Sequence, residues 1–244
     1  MKYGIQLYSV RDNTPKDMEG TLRALAEMGY EMVEFAGFFG HSAETVKGWL
    51  DKYGLVASGT HTGVGDIRDR YEETVAYHQA IGCREIIIPG ADTSSAEKLS
   101  EFIDFLNEYA PRLAADGLRL SYHNHDGEFR VSSYGAVIHE ELQRHTSLTF
   151  EIDTYWAYAA GKDPVALMET LADRIPVIHI KDGLSDRSGK PLGMGTAPVK
   201  AVWKTAKRLG IPMVVESETL TPDGLTEAKI CIDYLKSLEA ECGE

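Results

Sequence analysis

The sequence predicts an α/β fold, a single (β/α)8 barrel, on three observations. Eight short β-rich runs recur along the chain, and amphipathic stretches with helical spacing lie between them. Strand starts fall about 30 residues apart, the length a βα unit needs. Such alternation with right-handed crossovers builds a parallel sheet, either open or closed. The count of eight favours closure, as does the lack of a GxGxxG after the first strand, where a dinucleotide fold carries it. No linker or low-complexity stretch interrupts residues 1–244, so one domain is expected.

The elements follow in order. YGIQLY (3–8) opens the barrel, TLRALAEMGY has helical periodicity, and MVEFAG (32–37) and LVASGTH (55–61) are the next strands. EIIIPG (85–90) precedes the long helical stretch KLSEFIDFLNEYAPRLAADG, then LRLSYHNH (118–125) and LTFEID (148–153). DPVALMETLADRI leads into PVIHIKD (176–182), and VKAVWKTAKRLG into PMVVES (212–217). Gly29, Gly54, Gly82, Gly117 and Gly210 each end a helical stretch, where a left-handed C-cap favours glycine.

A net charge of −13 argues against a grip on nucleic-acid phosphates, which takes basic patches, and suits small neutral or metal-bound substrates. No apolar run reaches the roughly 18 residues of a membrane span. MKYGIQLYSV lacks the basic-then-apolar form of a signal peptide, so a cytoplasmic location is expected. Cys83, Cys231 and Cys242 share no CxxC spacing and suggest neither disulfides nor a thiolate metal site.

In such a barrel the chemistry collects at the carboxyl ends of the strands, on inward-facing side chains. Bulky apolar residues mark the helix-facing side, which turns Ser121, His123 and His125 inward, with Glu151, Asp153, His179, Lys181 and Glu216. Four consecutive strands thereby each place an imidazole or a carboxylate in the mouth, a donor set suited to a divalent ion. Mn²⁺ is the first expectation, with Mg²⁺, Co²⁺ or Zn²⁺ as alternatives. His123, Asp153, His179 and Glu216 are separated by 30, 26 and 37 residues, so only folding assembles them. Each alone has an ordinary structural reading: Asp153 as a helix cap, Glu216 as a lysine partner, a lone strand histidine as a bonded core residue.

At these residues the chain resembles the xylose isomerase-like TIM barrels, the superfamily of sugar phosphate isomerases and epimerases, inosose dehydratases and apurinic endonucleases. GIQLYSVRD, YHNHDGEF, FEIDTYWAYAAGKDP, IHIKDG and VVESE carry the resemblance, which runs over nearly the whole length. It implies one metal held on strands five to eight, with Asp153, His179 and Glu216 matching the last three ligands. Strand five departs from the pattern, placing His123 where the family usually has a glutamate. Of the two carboxylates that flank an epimerase substrate, this chain retains only Glu216. The endonuclease branch is disfavoured, because its histidine three residues past the strand-six aspartate is here Trp156, and IIIPGAD offers none.

The implied reaction is proton abstraction next to the carbonyl of a ketose or keto-sugar, through an enediolate, with Glu216 as base. Isomerisation or epimerisation is the first reading, a lyase or dehydratase the second, and a non-catalytic sugar-binding barrel the third. Glu128, in the loop after strand five, is expected to replace the missing carboxylate. His61, in GTHTG, is expected as a proton donor and Lys181 as a charge for an enolate oxygen, with pairing to Asp182 or Glu151 equally open. Gln6, Tyr8, Glu34, His125 and Trp156 are expected to contact substrate. His78, His139 and His145 fall in helical stretches and carry no expected role. SDRSGKPLGMGTAP (185–198) reads as a lid or a subunit contact, and a homo-oligomer is left open.

Overall fold

A computed structural model describes residues 2–242. Its eight barrel strands are β1 (Tyr3–Gln6), β2 (Met32–Phe35), β3 (Val56–His61), β4 (Glu85–Ile88), β5 (Arg119–His123), β6 (Thr149–Asp153), β7 (Val177–Ile180) and β8 (Met213–Val215). They pair in parallel, each with its neighbour in sequence, and β8 closes on β1. The predicted barrel is therefore the observed one.

The helices are α1 (Met18–Met28), α2 (Ala43–Tyr53), α3 (Val64–Asp69), α4 (Tyr71–Ile81), α5 (Ala96–Ala115), α6 (Ile138–His145), α7 (Thr154–Ala159), α8 (Pro164–Thr170), α9 (Val199–Leu209) and α10 (Gly224–Cys242). Gly29, Gly54, Gly82 and Gly210 are left-handed C-caps, while the fifth expected cap is Asp116, with Gly117 one residue beyond it. Among the described residues no helix is long and apolar enough to cross a membrane.

Strand alternation sorts the side chains as their chemistry requires. Leu120, Tyr122, Phe150, Ile152, Ile178 and Ile180 face outward into one apolar layer shared with the helices. Inside the barrel Ile87, Val177 and Val214 form a separate small apolar cluster. Register then stacks the polar residues: Gln6 lies beside Glu34, His123 beside Glu151, and Asp153 beside His179.

Several strands are shorter than the sequence predicts, because side chains take over backbone donors where the ladder stops. Beyond β1 the Tyr8 N–H donates to Gln6 Oε1 at 3.0 Å, and the chain enters a 3-10 turn at Leu7–Val10. Beyond β5 the His125 N–H donates to Glu128 Oε2 at 3.0 Å.

The interior is also tight in a way periodicity does not reveal. A Cβ on Gly59 would meet Ile87 Cδ1 at 2.6 Å and Glu34 Oε2 at 3.0 Å. Gly59→Ala is expected to cost about 1–3 kcal/mol by overpacking, read from urea denaturation. An unchanged midpoint would show that this layer yields freely.

At the opposite end of the barrel Glu85 is buried against Arg119 (2.6 Å) and the Ser121 hydroxyl (3.1 Å). Burial, partly opposed by the Arg119 charge, raises its pKa from 4.5 to about 7. The folded state thus holds an extra proton between those values, a stabilisation complete below the lower one and lost as pH rises through the upper. The stability of the wild type relative to Glu85→Gln should therefore fall by on the order of 2–3 kcal/mol between about pH 4 and 8. A difference that does not change with pH would make Glu85 an ordinary carboxylate.

Candidate active site

Two tiers of polar side chains occupy the C-terminal end of the barrel. The lower tier is centred on Glu151, which is fully buried. His123 Nδ1 lies 3.0 Å and His61 Nε2 2.9 Å from its Oε2, and His179 Nε2 lies 3.2 Å from its Oε1. Glu34 is the second acid: its Oε1 is 2.8 Å from His179 Nε2, 3.2 Å from His61 Nε2, and accepts from Gln6 Nε2 at 2.7 Å. The three imidazoles stand within 4.7–5.5 Å of one another, centroid to centroid.

Asp153, Glu216 and Lys181 form the upper tier. Asp153 Oδ1 caps α7 by accepting the Trp156 N–H at 2.8 Å, so the ordinary reading of this residue holds for one oxygen. Its Oδ2 is buried without a hydrogen-bond partner. Lys181 Nζ is 3.0 Å from Glu216 Oε2 and 3.8 Å from Asp153 Oδ2, bonds Glu218, and lies 4.7 Å from the Trp156 ring centroid.

The donors suit a divalent ion. His123, Asp153, His179 and Glu216 offer ligand atoms within 4.8 Å of one another. His61, His123, Glu151 and His179 form a second such group, but there the ring nitrogens face Glu34 and Glu151 at hydrogen-bond distance. In the upper group His179 Nδ1 is orphaned, with Glu216 Oε2 at 3.4 Å and Asp153 Oδ2 at 4.0 Å. Buried polar atoms without partners are costly, and two of them converging on one space is what a cation site requires. His179 thus braces Nε2 on two acids and turns Nδ1 upward, the arrangement that orients a metal-binding imidazole. His123 spends Nδ1 on Glu151, leaving Nε2 as its available nitrogen.

The charges are divided unevenly. Burial alone would raise Glu151, but His179 and bonds from His123 and His61 hold it well below the usual carboxylate range. Burial likewise opposes Glu216, and Lys181 with His179 keeps it ionised. Burial, offset by Lys181, lifts Asp153 to about 7, and burial with the neighbouring Glu151 raises Glu34. His61 rises to about 9, its burial outweighed by bonds to Glu151 and Glu34; burial takes His123 down to about 3.

The structure corrects several roles read from the sequence. Glu128 is not in the mouth: its Oε1 accepts from the helix-side Tyr122 hydroxyl at 3.0 Å and its Oε2 from the His125 N–H, so it braces the loop. Gln6 and Glu34 are fully buried beneath the histidines, Gln6 bonded through both amide atoms and Glu34 through Oε1, so in this structure they brace the cluster. His125 lies beyond the end of β5 and is exposed, its ring 4.9 Å from that of His123. Tyr8 is 44 % exposed on the turn after β1, with Arg11 stacked on it. Trp156 covers Lys181, whose partners are Glu216 and Glu218, not Asp182 or Glu151.

The sequence marks Glu151 as inward in LTFEID but gives it no role beyond pairing with Lys181. Glu218 gave no signal, because it lies past the strand. Asp182 was a further miss: its carboxylate accepts the N–H groups of Gly193 (2.9 Å), Gly195 (2.9 Å) and Ala197 (3.2 Å), pinning the loop after β7.

Fold and site together define a closed (β/α)8 barrel with a histidine–carboxylate cluster at its C-terminal mouth. The chain belongs to the xylose isomerase-like TIM barrel family, which it matches over residues 22–238. It is similar to the inosose dehydratase of Geobacillus kaustophilus (strain HTA426), 26% identical over 192 residues that cover 66% of this chain and 60% of that relative's length. The match thus spans less than two thirds of that curated relative's length. It is also similar to a sugar phosphate isomerase/epimerase structure from Parabacteroides distasonis ATCC 8503, at 26% identity and a TM-score of 0.83, covering 97% and 98% of the two chains. The D-psicose 3-epimerase of Clostridium cellulolyticum H10, at 15% identity and a TM-score of 0.73 over 98% and 99%, shares the fold.

If the upper donors hold the ion, calorimetric titration with Mn²⁺ should give one site per chain and a rise in Tm. Asp153→Asn should abolish that rise, and Glu151→Gln should weaken binding by about 10–100-fold through the braced histidines. An Asp153→Asn protein that binds Mn²⁺ like the wild type would remove the upper tier as the metal site.

Proposed function

We propose that the chain is a divalent-metal-dependent sugar isomerase or epimerase that removes a proton next to the carbonyl of a ketose or keto-sugar. The observation that carries this reading is the convergence of the unpartnered His179 Nδ1 and Asp153 Oδ2 with His123 and Glu216 at the catalytic end of the barrel. An ion held by His123, Asp153, His179 and Glu216, Mn²⁺ foremost, would supply the charge that acidifies the carbon next to the carbonyl. Glu216 is the base, kept ionised by Lys181 and His179. Lys181, anchored between Glu216 and Glu218, offers a fixed positive charge to the oxygen that becomes anionic. Trp156 presents its ring beside this charge, a surface for the apolar face of a sugar. A small carbohydrate is the substrate class, in keeping with the family.

One feature favours a second reading, elimination from the same enediolate by a lyase or dehydratase. Of the carboxylates around Lys181, Glu216 is held ionised, Asp153 is lifted by burial to about 7 and spends one oxygen capping α7, and Glu218 is bonded to Lys181, while Glu128 points away to Tyr122. His61 is instead held as a cation, suited to giving a proton to a departing oxygen. The similarity to an inosose dehydratase supports the same branch.

Proton NMR of the metal-loaded protein in D₂O, with a panel of ketoses and keto-glycosides, separates the readings. Deuterium entering next to the carbonyl without loss of a group supports isomerase or epimerase chemistry, and an unsaturated product supports elimination. Neither, in a protein that binds metal, would leave a sugar-binding barrel. Glu216→Gln should slow exchange by about 10²–10⁴-fold with the fold intact. Exchange at the wild-type rate would remove Glu216 as the base.

A further inference from the structure

We propose that the cavity beside His61 is a second subsite of this active site, one that accepts a flat aromatic ring carried by the sugar. The inference rests on the reading of the mouth as a keto-sugar site and extends it to the substrate's far end.

The cavity, about 390 Å³, lies between the loop after β2 and helices α3 and α4. This is the lower end of the range that holds small organic ligands. His61 lines it and, through Nε2, also bonds Glu151 and Glu34 beneath the mouth, so the two spaces share a wall. A larger groove of about 730 Å³ along α5 shares no residue with the histidine–carboxylate cluster, and it gives no such continuity.

The lining argues for a ring with few hydrogen-bonding groups. Phe38, Phe39, Tyr77 and His78 face the cavity, and Phe38 is fixed against Tyr77 with centroids 4.1 Å apart. Asp66, Arg70 and Glu73 also line the cavity, Arg70 and Glu73 exposed and Arg70 paired with Asp66, while the polar groups of the floor are spent on one another. The Thr62 hydroxyl bonds Thr60 at 2.8 Å, His78 uses one nitrogen on Thr60 (2.5 Å) and the other on the Thr74 carbonyl (2.6 Å), and the Tyr77 hydroxyl donates to the His41 carbonyl (2.8 Å). A second sugar ring would bring hydroxyls that need partners this floor does not offer, and each one buried unpaired is costly. A planar apolar ring needs none.

Phe39 supplies the independent observation. It is 49% exposed at the cavity's edge and adopts φ +50°, between Gly37 at +95° and Gly40 at +79°. A bulky residue held in the left-handed region is strained, and such strain clusters at ligand clamps. Here it holds an aromatic face in solvent, where packing alone gives it no reason to be.

The test compares the binding of 4-nitrophenyl β-D-glucopyranoside, methyl β-D-glucopyranoside and cellobiose to the full-length, Mn²⁺-loaded protein by calorimetry. The aryl glucoside should bind at least about tenfold more tightly than the other two. Phe39→Ala should remove most of that preference, and Phe39→Tyr should keep it. The proposal is overturned by equal affinity for the aryl and methyl glucosides, by cellobiose matching the aryl compound, by no binding of the aryl glucoside, or by a preference that survives Phe39→Ala. Deuterium exchange of a free ketose on the same preparation keeps the two ideas apart. Exchange without an aryl preference sinks only the subsite, and a preference without exchange sinks the enolisation reading.

Discussion

Glu151 is the group on which the rest of the mouth depends. It is a carboxylate with no exposure to water, and a buried charge of that kind persists only when it is paired and hydrogen-bonded. Its partners are His61, His123 and His179, from three different strands. One acid therefore sets the orientation of three imidazoles, and Glu34 braces two of them from the other side. The cost of burying these charges is offset by their mutual attraction, which is strong where water is excluded.

The upper tier inherits its chemistry from this base. Because the acids below occupy His179 Nε2, its Nδ1 is the atom presented to Asp153 and Glu216. Because Lys181 stands between Glu216 and Glu218, the Glu216 carboxylate is held ionised and the ammonium is fixed in place. Asp153 divides its labour between its two oxygens, one capping α7 and one turned to the mouth. Loops then finish the rim. Asp182 gathers three backbone N–H groups of the segment after β7, while Arg187 in that segment pairs with Asp126 after β5.

Legibility in the sequence followed the range of the interaction. Where side-chain direction is set by alternation within one strand, the reading of Asp153, His179, Lys181 and Glu216 as inward residues agrees with the geometry. It weakened where the strand ended sooner than its composition suggests. His125 was counted as inward on a strand that stops at His123, and Glu128 was given to the mouth although its carboxylate turns to Tyr122. The sequence offers Gln6 and Glu34 as substrate contacts, but depth along the barrel axis has no mark in a sequence. Depth is what separates a brace from a substrate contact.

By itself the sequence determined the eight-stranded barrel, its order and the strands that carry the chemistry, because hydrophobic period and glycine caps are local properties of the chain. Four separated residues could be named as one donor set on the same grounds, with a resemblance to relatives. Only the tertiary structure decided which nitrogen of each histidine faces which acid, that Lys181 pairs with Glu216 and Glu218, and that a cavity adjoins His61. Those facts depend on registers between strands distant in sequence and on loops crossing the rim. They are set by the closing of the barrel and not by any one of its segments.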